Sequence, residues 1–255
     1  MRPSLRHRIV NALQSALIVL GMGAIAWGSL SAIAGPGITL GAVAGVTIGL
    51  LLAPAVPKRM ILRAYGARPL SRAEFPRGAA MVGELARRAE LPGTPALWYV
   101  PSRLPNAFAL GTPGESAICV SDGLLRLLDG RELAGVLAHE VSHIAHRDLW
   151  IMGLADMMAR AVSVVSWIGQ IVLLLNLPLF LVGAATVPWH VPLILIFAPG
   201  VMALLQLALS RSREYDADLG AARLTGDPGG LASALLKLDR RAGRVWEEIL
   251  LPGRR

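Results

Sequence analysis

Two long stretches of the chain contain no charged residue, and they constrain its fold more than any other feature. The first runs from Ile9 to Pro57 and the second from Ala161 to Ser210. A helix needs about 20 apolar residues to cross the hydrocarbon core of a bilayer, so each stretch has room for two spans and a turn. Charged residues make up only 16% of the chain, against about 25% in a typical soluble domain. The sequence therefore predicts a mainly α-helical membrane protein with four transmembrane helices.

Turn-forming residues divide each stretch into two spans. Gly35-Pro36-Gly37 separates spans predicted at roughly 10–31 and 38–56, and the segment from Pro188 to Pro192 separates spans at roughly 161–183 and 191–209. Ala32-Ile33-Ala34 also resembles the cleavage site of a secretory signal. Because the apolar stretch ahead of it is longer than a typical signal core and a second span follows, an uncleaved span is favoured.

Basic residues flank the outer ends of the two pairs of spans and are absent from both short connections. They are Arg2, Arg6 and Arg8 before the first span, Lys58, Arg59 and Arg63 after the second, Arg160 before the third, and Arg211 and Arg213 after the fourth. By the positive-inside rule, both termini and the segment 58–160 face the cytoplasm. The same bias and anionic headgroups account for the net charge of +8, so no nucleic-acid partner is expected. The single cysteine, Cys119, fits a reducing compartment.

The segment between the two pairs of spans has the patterning of a small α+β domain. A helix is predicted over 77–90, and short strands over 96–100, 107–110 and 116–120. Asp129 is the predicted N-cap of the next helix, with Glu132 as its capping-box partner. The apolar stripe of that helix is formed by Leu133, Val136, Leu137, Val141 and Ile144.

The helix that follows Asp129 carries the pentapeptide His139-Glu140-Val141-Ser142-His143. Positions i and i+4 share a helix face, so both imidazoles can bind one metal ion. Glu140 is rotated away by about a third of a turn, which suits it to hold a water that the metal activates. The pattern predicts a zinc hydrolase. His146, one turn further along, is interpreted as a surface or packing histidine.

A catalytic zinc usually has three protein ligands and one open position. The third histidine of a metzincin would stand at position 149, which is Leu149 here. A glutamate on a later helix is the other candidate, and Glu214 follows the fourth predicted span closely. Glu214 and Asp218 are four residues apart and share a helix face. Glu214 can therefore bind zinc while Asp218 accepts the N–H of a ligand imidazole.

Three segments together make the chain resemble the HtpX-type integral-membrane zinc metallopeptidases, relatives of the CAAX prenyl proteases. They are the motif from His139 to His143, the segment from Arg213 to Asp218, and Pro105-Asn106-Ala107-Phe108-Ala109. The resemblance implies a gluzincin-like, zincin-type endopeptidase domain in the cytoplasm that binds one Zn²⁺ per chain. Its zinc ligands would be His139, His143 and Glu214. Glu140 would be the general base, and Asn106 would lie near the substrate cleft.

The resemblance also implies where such a protein works and on what. It implies a multi-pass protein of the bacterial inner membrane, with the active site at the cytoplasmic face. The substrates would be misfolded or damaged membrane proteins, and other membrane quality-control proteases would be its partners.

The predicted organisation has four parts. Residues 1–57 and 161–210 form two membrane hairpins, residues 58–160 form the cytoplasmic peptidase region, and residues 211–255 carry the glutamate helix. Family members usually continue to a His-Pro-Pro segment and a further helix. A truncated C-terminus is therefore one alternative for a chain that ends at Arg255.

Other functions share parts of this pattern. A site-2-type intramembrane protease would bury the motif helix in lipid, which the charges of Arg131 and Glu132 oppose. A CAAX-type processing protease is one open alternative. A non-enzymatic four-span protein with a vestigial metal site is another, although the intact Glu140 argues against it.

Overall fold

The computed structural model describes residues 13–31, 37, 40, 58–184, 188 and 190–250, with side chains as far as residue 241. The chain divides into two compact units. One contains Met1–Ala53 and Trp150–Ser212, and is called the helical unit here. The other contains Pro54–Leu149 and Arg213–Arg255, and is called the sheet unit.

Three helices among the described residues are long and apolar enough to cross a membrane, judged by length and composition. They are α1 (Leu13–Ser31), α6 (Asp148–Leu175) and α8 (His190–Thr225). These helices overlap the first, third and fourth predicted spans, whereas the second predicted span, 38–56, lies largely outside the described residues. A short helix, α7 (Leu177–Leu181), follows α6.

The helical unit has a small apolar core and an apolar surface. Met22, Val162 and Met202 are buried members of a single apolar cluster. Large side chains such as Leu17, Trp167 and Leu204 are 72%, 67% and 68% exposed. A surface made of such side chains suits contact with lipid rather than water.

Helix α8 extends well beyond the apolar stretch from which a span was predicted. The predicted span ended near residue 209, but the helix ends only at Thr225. Gly226 follows with φ of 71°, which is the left-handed conformation that glycine adopts most easily after a helix. Hydropathy predicts only the apolar part of the helix, whereas the left-handed conformation of Gly226 determines where the helix ends.

The sheet unit contains a mixed four-stranded sheet with the order β1-β2-β4-β3. Its strands are β1 (Arg68–Pro69), β2 (Ala96–Val100), β3 (Ala107–Thr112) and β4 (Glu115–Ser121). β2 is parallel to β4, while β3 pairs with β4 as an antiparallel hairpin. The three strands predicted from the sequence are confirmed within a residue or two, and the two-residue β1 was not predicted.

Outside the long apolar helices, the described residues of the sheet unit form five helices. They are α2 (Lys58–Ala64), α3 (Pro76–Arg88), α4 (Asp122–Leu127), α5 (Gly130–His146) and α9 (Pro228–Leu250). α3 ends two residues before its predicted end, because Glu90 adopts a φ of 54°. The predicted apolar stripe of α5 is confirmed, since Leu137 and Val141 are fully buried in the main core.

Helix α9 packs against α5 at backbone distance. A Cβ atom at Gly135 would lie 2.7 Å from the backbone nitrogen of Leu231 and 2.9 Å from its Cα. Ordinary carbon contacts are about 3.5–4.0 Å, so only glycine fits at this position. The absence of a side chain at Gly135 allows the two helices to approach this closely.

Candidate metal centre

Helix α5 presents the pentapeptide, and its start is determined by a capping box. The Asp129 carboxylate accepts hydrogen bonds from the backbone N–H groups of Arg131 and Glu132, each at 2.9 Å. The Glu132 carboxylate accepts in return from the backbone N–H of Asp129 at 3.0 Å. The capping box predicted from the sequence is confirmed, and it fixes the phase of the helix that carries both histidines.

The two imidazoles and the Glu214 carboxylate converge on one point. His139 Nε2 lies 3.0 Å from His143 Nε2 and 3.3 Å from Glu214 Oε2. His143 Nε2 lies 3.9 Å from Glu214 Oε1. In the part of the chain that the structure describes, these three residues form the one group of ligand atoms that could hold a metal ion, all within 4.8 Å of one another.

The geometry of this group suits zinc. A tetrahedral ion with bonds of about 2.0–2.1 Å has ligand atoms about 3.3 Å apart. The separations of 3.0 Å between the two nitrogens and 3.3 Å from His139 Nε2 to Glu214 Oε2 are close to that value, and His143 Nε2 lies 3.9 Å from the other carboxylate oxygen, Oε1. Two imidazole nitrogens and one carboxylate oxygen are also a ligand set common to catalytic zinc sites. The residues therefore fit the metal that the sequence predicts.

Asp218 lies where the sequence predicted a partner for a ligand imidazole. Its Oδ1 atom is 2.9 Å from His139 Nδ1. The two atoms are at hydrogen-bond distance, but among the described residues the buried Nδ1 has no partner that meets hydrogen-bond geometry. Contact through Nδ1 leaves Nε2 directed at the other two ligand atoms.

Asp148 gives His143 the same kind of partner, and the sequence analysis did not identify it. Its Oδ2 atom lies 2.9 Å from His143 Nδ1. Arg147 ends α5 in the left-handed conformation, with φ of 57°, and this turn brings Asp148 back to the helix. A carboxylate five residues after the second histidine was the available signal.

Glu140 is buried beside the two histidines, with only 9% of its surface exposed. Burial raises the pKa of its carboxyl group above the ordinary value, although the charges of His139 and His143 and the backbone N–H of Ala109 act in the opposite direction. A raised pKa brings a carboxylate closer to the range in which a general base works best.

His139 has a pKa set by opposing effects. Burial lowers it, but the hydrogen bond with Glu214 and the charges of Glu140 and Asp218 outweigh burial, so the net shift is upward. The carboxylates around His139 make its surroundings negatively charged, and a cation is the complementary occupant.

Two other residues considered from the sequence lie outside this group. Asn106 is tied through its backbone, since its N–H donates to Ser121 Oγ at 2.8 Å and its carbonyl accepts from Ser121 N–H at 3.0 Å. Its side chain is exposed at the start of β3. His146 Nδ1 lies 2.8 Å from the Ser142 carbonyl oxygen, which agrees with a packing role.

Comparison with known proteins identifies relatives of this chain. The profile of Peptidase family M48 matches residues 72–249. A protein named Protease HtpX homolog from Acidiphilium cryptum is 42% identical over 220 residues, which is 81% of this chain and 73% of that protein. Proteins of the same name from Methylibium petroleiphilum and Burkholderia mallei are each 37% identical over 219 residues, again 81% of this chain, and 74% and 73% of those proteins.

Proposed function

The chain belongs to peptidase family M48 and is an HtpX-type membrane metalloprotease, and we propose that it hydrolyses peptide bonds at a zinc ion held by His139, His143 and Glu214. The observation that carries this proposal is the convergence of their three ligand atoms within 4.8 Å, next to the buried Glu140. When bound, zinc supplies a Lewis acid that makes a water molecule more acidic and polarises a carbonyl group.

Glu140 is the general base of the proposed reaction. It follows His139 directly on α5, so it lies about 100° around the helix from that ligand. Its carboxylate takes a proton from the attacking water and delivers it to the nitrogen of the leaving amine. Burial supports this role, because a carboxylate in a site that excludes water is a stronger base than one in bulk solvent.

Asp218 and Asp148 keep the ligand imidazoles in one orientation. Each carboxylate approaches an Nδ1 atom at 2.9 Å. A ring whose Nδ1 is held by a carboxylate keeps its proton there and turns its Nε2 lone pair outward. The two Nε2 atoms are then preorganised for one metal ion.

Strand β3 is the proposed binding edge for an extended substrate. It is one of the two edge strands of the β1-β2-β4-β3 sheet, and the backbone N–H of its residue Ala109 interacts with Glu140. A peptide added to this edge would pass the general base as it pairs with the strand. Asn106, exposed just before β3, is proposed to hydrogen-bond the backbone of that peptide.

The proposed substrates are misfolded or damaged membrane proteins, cleaved at the cytoplasmic face of the bacterial inner membrane. The membrane-capable helices α1, α6 and α8 support a location next to such substrates. The distribution of lysine and arginine around the predicted spans supports four spans with a cytoplasmic peptidase region. Digestion of sealed vesicles of known orientation would test the side of the membrane on which residues 58–160 lie.

Zinc content and casein hydrolysis by the purified full-length protein test the proposed chemistry. We expect about one zinc ion per chain, and we expect Glu140→Gln to retain zinc and lose cleavage. Glu115→Gln is a matched control, because its side chain is 84% exposed and the substitution removes the same charge. Full cleavage by Glu140→Gln, or a folded wild type without zinc, would refute the proposal.

The ligand assignment has its own test. Glu214→Ala should abolish stoichiometric zinc binding, whereas Asp218→Ala should weaken it by about 10- to 100-fold, as expected for a residue that acts through a ligand. Equal and small effects of the two substitutions would assign both carboxylates to the surface.

A further inference from the structure

A buried arginine stands behind the proposed metal centre. The Arg213 side chain is only 9% exposed, and it lies between two carboxylates. Its Nη1 atom is 3.5 Å from Asp148 Oδ1 and its Nη2 atom is 3.4 Å from Asp216 Oδ2. The guanidinium cannot lose its proton in a protein, so this position always holds a positive charge.

The Asp148 carboxylate is divided between two partners. Its Oδ1 atom faces Arg213, and its Oδ2 atom lies 2.9 Å from His143 Nδ1. Only 3% of the Asp148 side chain is exposed, so water does not compete for either oxygen. Because its two oxygens contact different groups, both contacts oppose rotation of the carboxylate away from the histidine.

The ion pair is poorly suited to stabilising the fold by itself. Burial of charged groups costs several kcal/mol per ion, and the contacts of 3.5 and 3.4 Å are longer than those of a bidentate arginine–carboxylate pair. A buried pair of this kind is better explained by what it orients. Here it faces an imidazole whose other nitrogen is directed at the proposed metal position.

We propose that Arg213 is a positioning residue for the metal centre, because it holds Asp148 against His143 and thereby directs His143 Nε2 at the metal. The inference rests on the zinc site proposed above. Arg213 immediately precedes Glu214 on α8, so one turn of this helix supplies a ligand directly and orients a second ligand through Asp148. Asp218, one turn further on, approaches the third ligand, His139. A single segment of α8 thus adjusts all three ligands.

Zinc affinity of the full-length protein, measured by competition with a chelator, tests this inference. Arg213→Met removes the charge and keeps much of the apolar stem, and we expect it to weaken zinc binding by about 10- to 100-fold. Arg213→Lys retains the charge and should restore part of that loss. The absorption spectrum of the Co²⁺-substituted protein should change in Arg213→Met, because the ligand field follows the orientation of His143.

Asp216→Asn is the matched control. It removes the other carboxylate that contacts Arg213 but leaves in place the contacts of Asp148 with Arg213 and His143. We expect zinc affinity within about threefold of wild type, because the contacts from Arg213 through Asp148 to His143 remain. A 10- to 100-fold loss is expected only when those contacts are broken. A loss as large as that of Arg213→Met would mean that the ion cluster only stabilises the fold, and it would overturn the proposal.

A double-mutant cycle separates positioning from stability. If Arg213 acts through Asp148, then Arg213→Met should change zinc affinity by less than about threefold in an Asp148→Asn background. The melting temperature of the zinc-free double variant should exceed that of Arg213→Met, because one unpaired buried carboxylate has been removed. Full additivity in zinc affinity would overturn the proposal.

The failure of this inference differs from the failure of the zinc site. A folded wild type that binds no zinc would overturn both. A wild type that binds zinc, with Arg213→Met and Arg213→Lys binding it equally well and an unchanged Co²⁺ spectrum, would overturn the positioning role alone.

Discussion

The distance between α5 and α8 in the sheet unit should control the metal centre, and Gly220 makes this testable. A Cβ atom at Gly220 would lie 2.0 Å from Ser142 Oγ and 2.9 Å from Ser142 Cβ. The hydroxyl can rotate, but the Cβ atom is fixed by the backbone of α5. Since ordinary carbon contacts begin at about 3.5 Å, Gly220→Ala must separate the two helices locally by about 0.6 Å.

This displacement acts on the proposed ligands directly. Glu214 and Asp218 lie on the same helix as Gly220 and approach His139 at 3.3 and 2.9 Å. A misplacement of about 1 Å can reduce catalysis by about 100-fold, so about 0.6 Å should reduce kcat/KM for casein by at least about tenfold. Overpacking should also lower the free energy of unfolding by about 1–3 kcal/mol.

A compensating substitution provides the decisive comparison. Ser142→Gly removes both atoms that the new methyl group would meet, so the double variant Gly220→Ala with Ser142→Gly should regain zinc binding and casein cleavage. Its stability should recover less, because glycine within a helix costs about 1 kcal/mol. Gly83→Ala is the control, since its Cβ would meet no heavy atom of the described residues within 4 Å. Wild-type activity in Gly220→Ala, or no recovery in the double variant, would refute the reasoning.

Three further predictions concern the sheet unit. The Lys237 ammonium group and the Ser233 hydroxyl hold the pKa of Glu132 at about 2, below its ordinary value of 4.5; the stabilisation is therefore present above pH 4.5 and is lost as pH falls toward 2. Melting temperatures between pH 7 and 3 should fall more for wild type than for Glu132→Gln, and parallel curves would contradict this. Asp129→Ala should cost about 1 kcal/mol in chemical denaturation by removing the N-cap, whereas an unchanged midpoint would assign the cap no role. Burial raises the pKa of Cys119 to about 12, with the charge of Glu140 adding to the effect, so a maleimide should label it only after denaturation.

The parts of the site that the sequence predicts are those encoded by local patterns. The helical repeat alone predicts that His139 and His143 share a face. The capping-box pair Asp129 and Glu132 predicts where that helix begins. Glu214 and Asp218 are again four residues apart on one helix. The convergence of the two segments was inferred from the need of zinc for a third ligand and from the membrane hairpin between them, and His139 lies 3.3 Å from Glu214 in the structure.

Other features depend on backbone conformations that the sequence does not announce. Asp148 reaches His143 only because Arg147 adopts a left-handed conformation, which glycine would have signalled and arginine does not. The fourth predicted span and the helix that carries Glu214 form one continuous helix, α8, because the polar residues after 209 contain no stop before Gly226. Helix α9 was missed because its first residues, Pro228, Gly229 and Gly230, are typical of a turn.

The contact between Gly135 and Leu231 has a consequence for how the protein can vary. The atoms that a side chain at 135 would meet belong to the backbone of α9, so rotamer changes on α9 cannot make room for it. A combinatorial library that randomises residue 135 together with its neighbours on α9 should return glycine at 135 whatever the neighbours become. Residue 135, on the face of α5 that contacts α9, is therefore restricted to glycine, and sequence diversification of this protein has to use other positions.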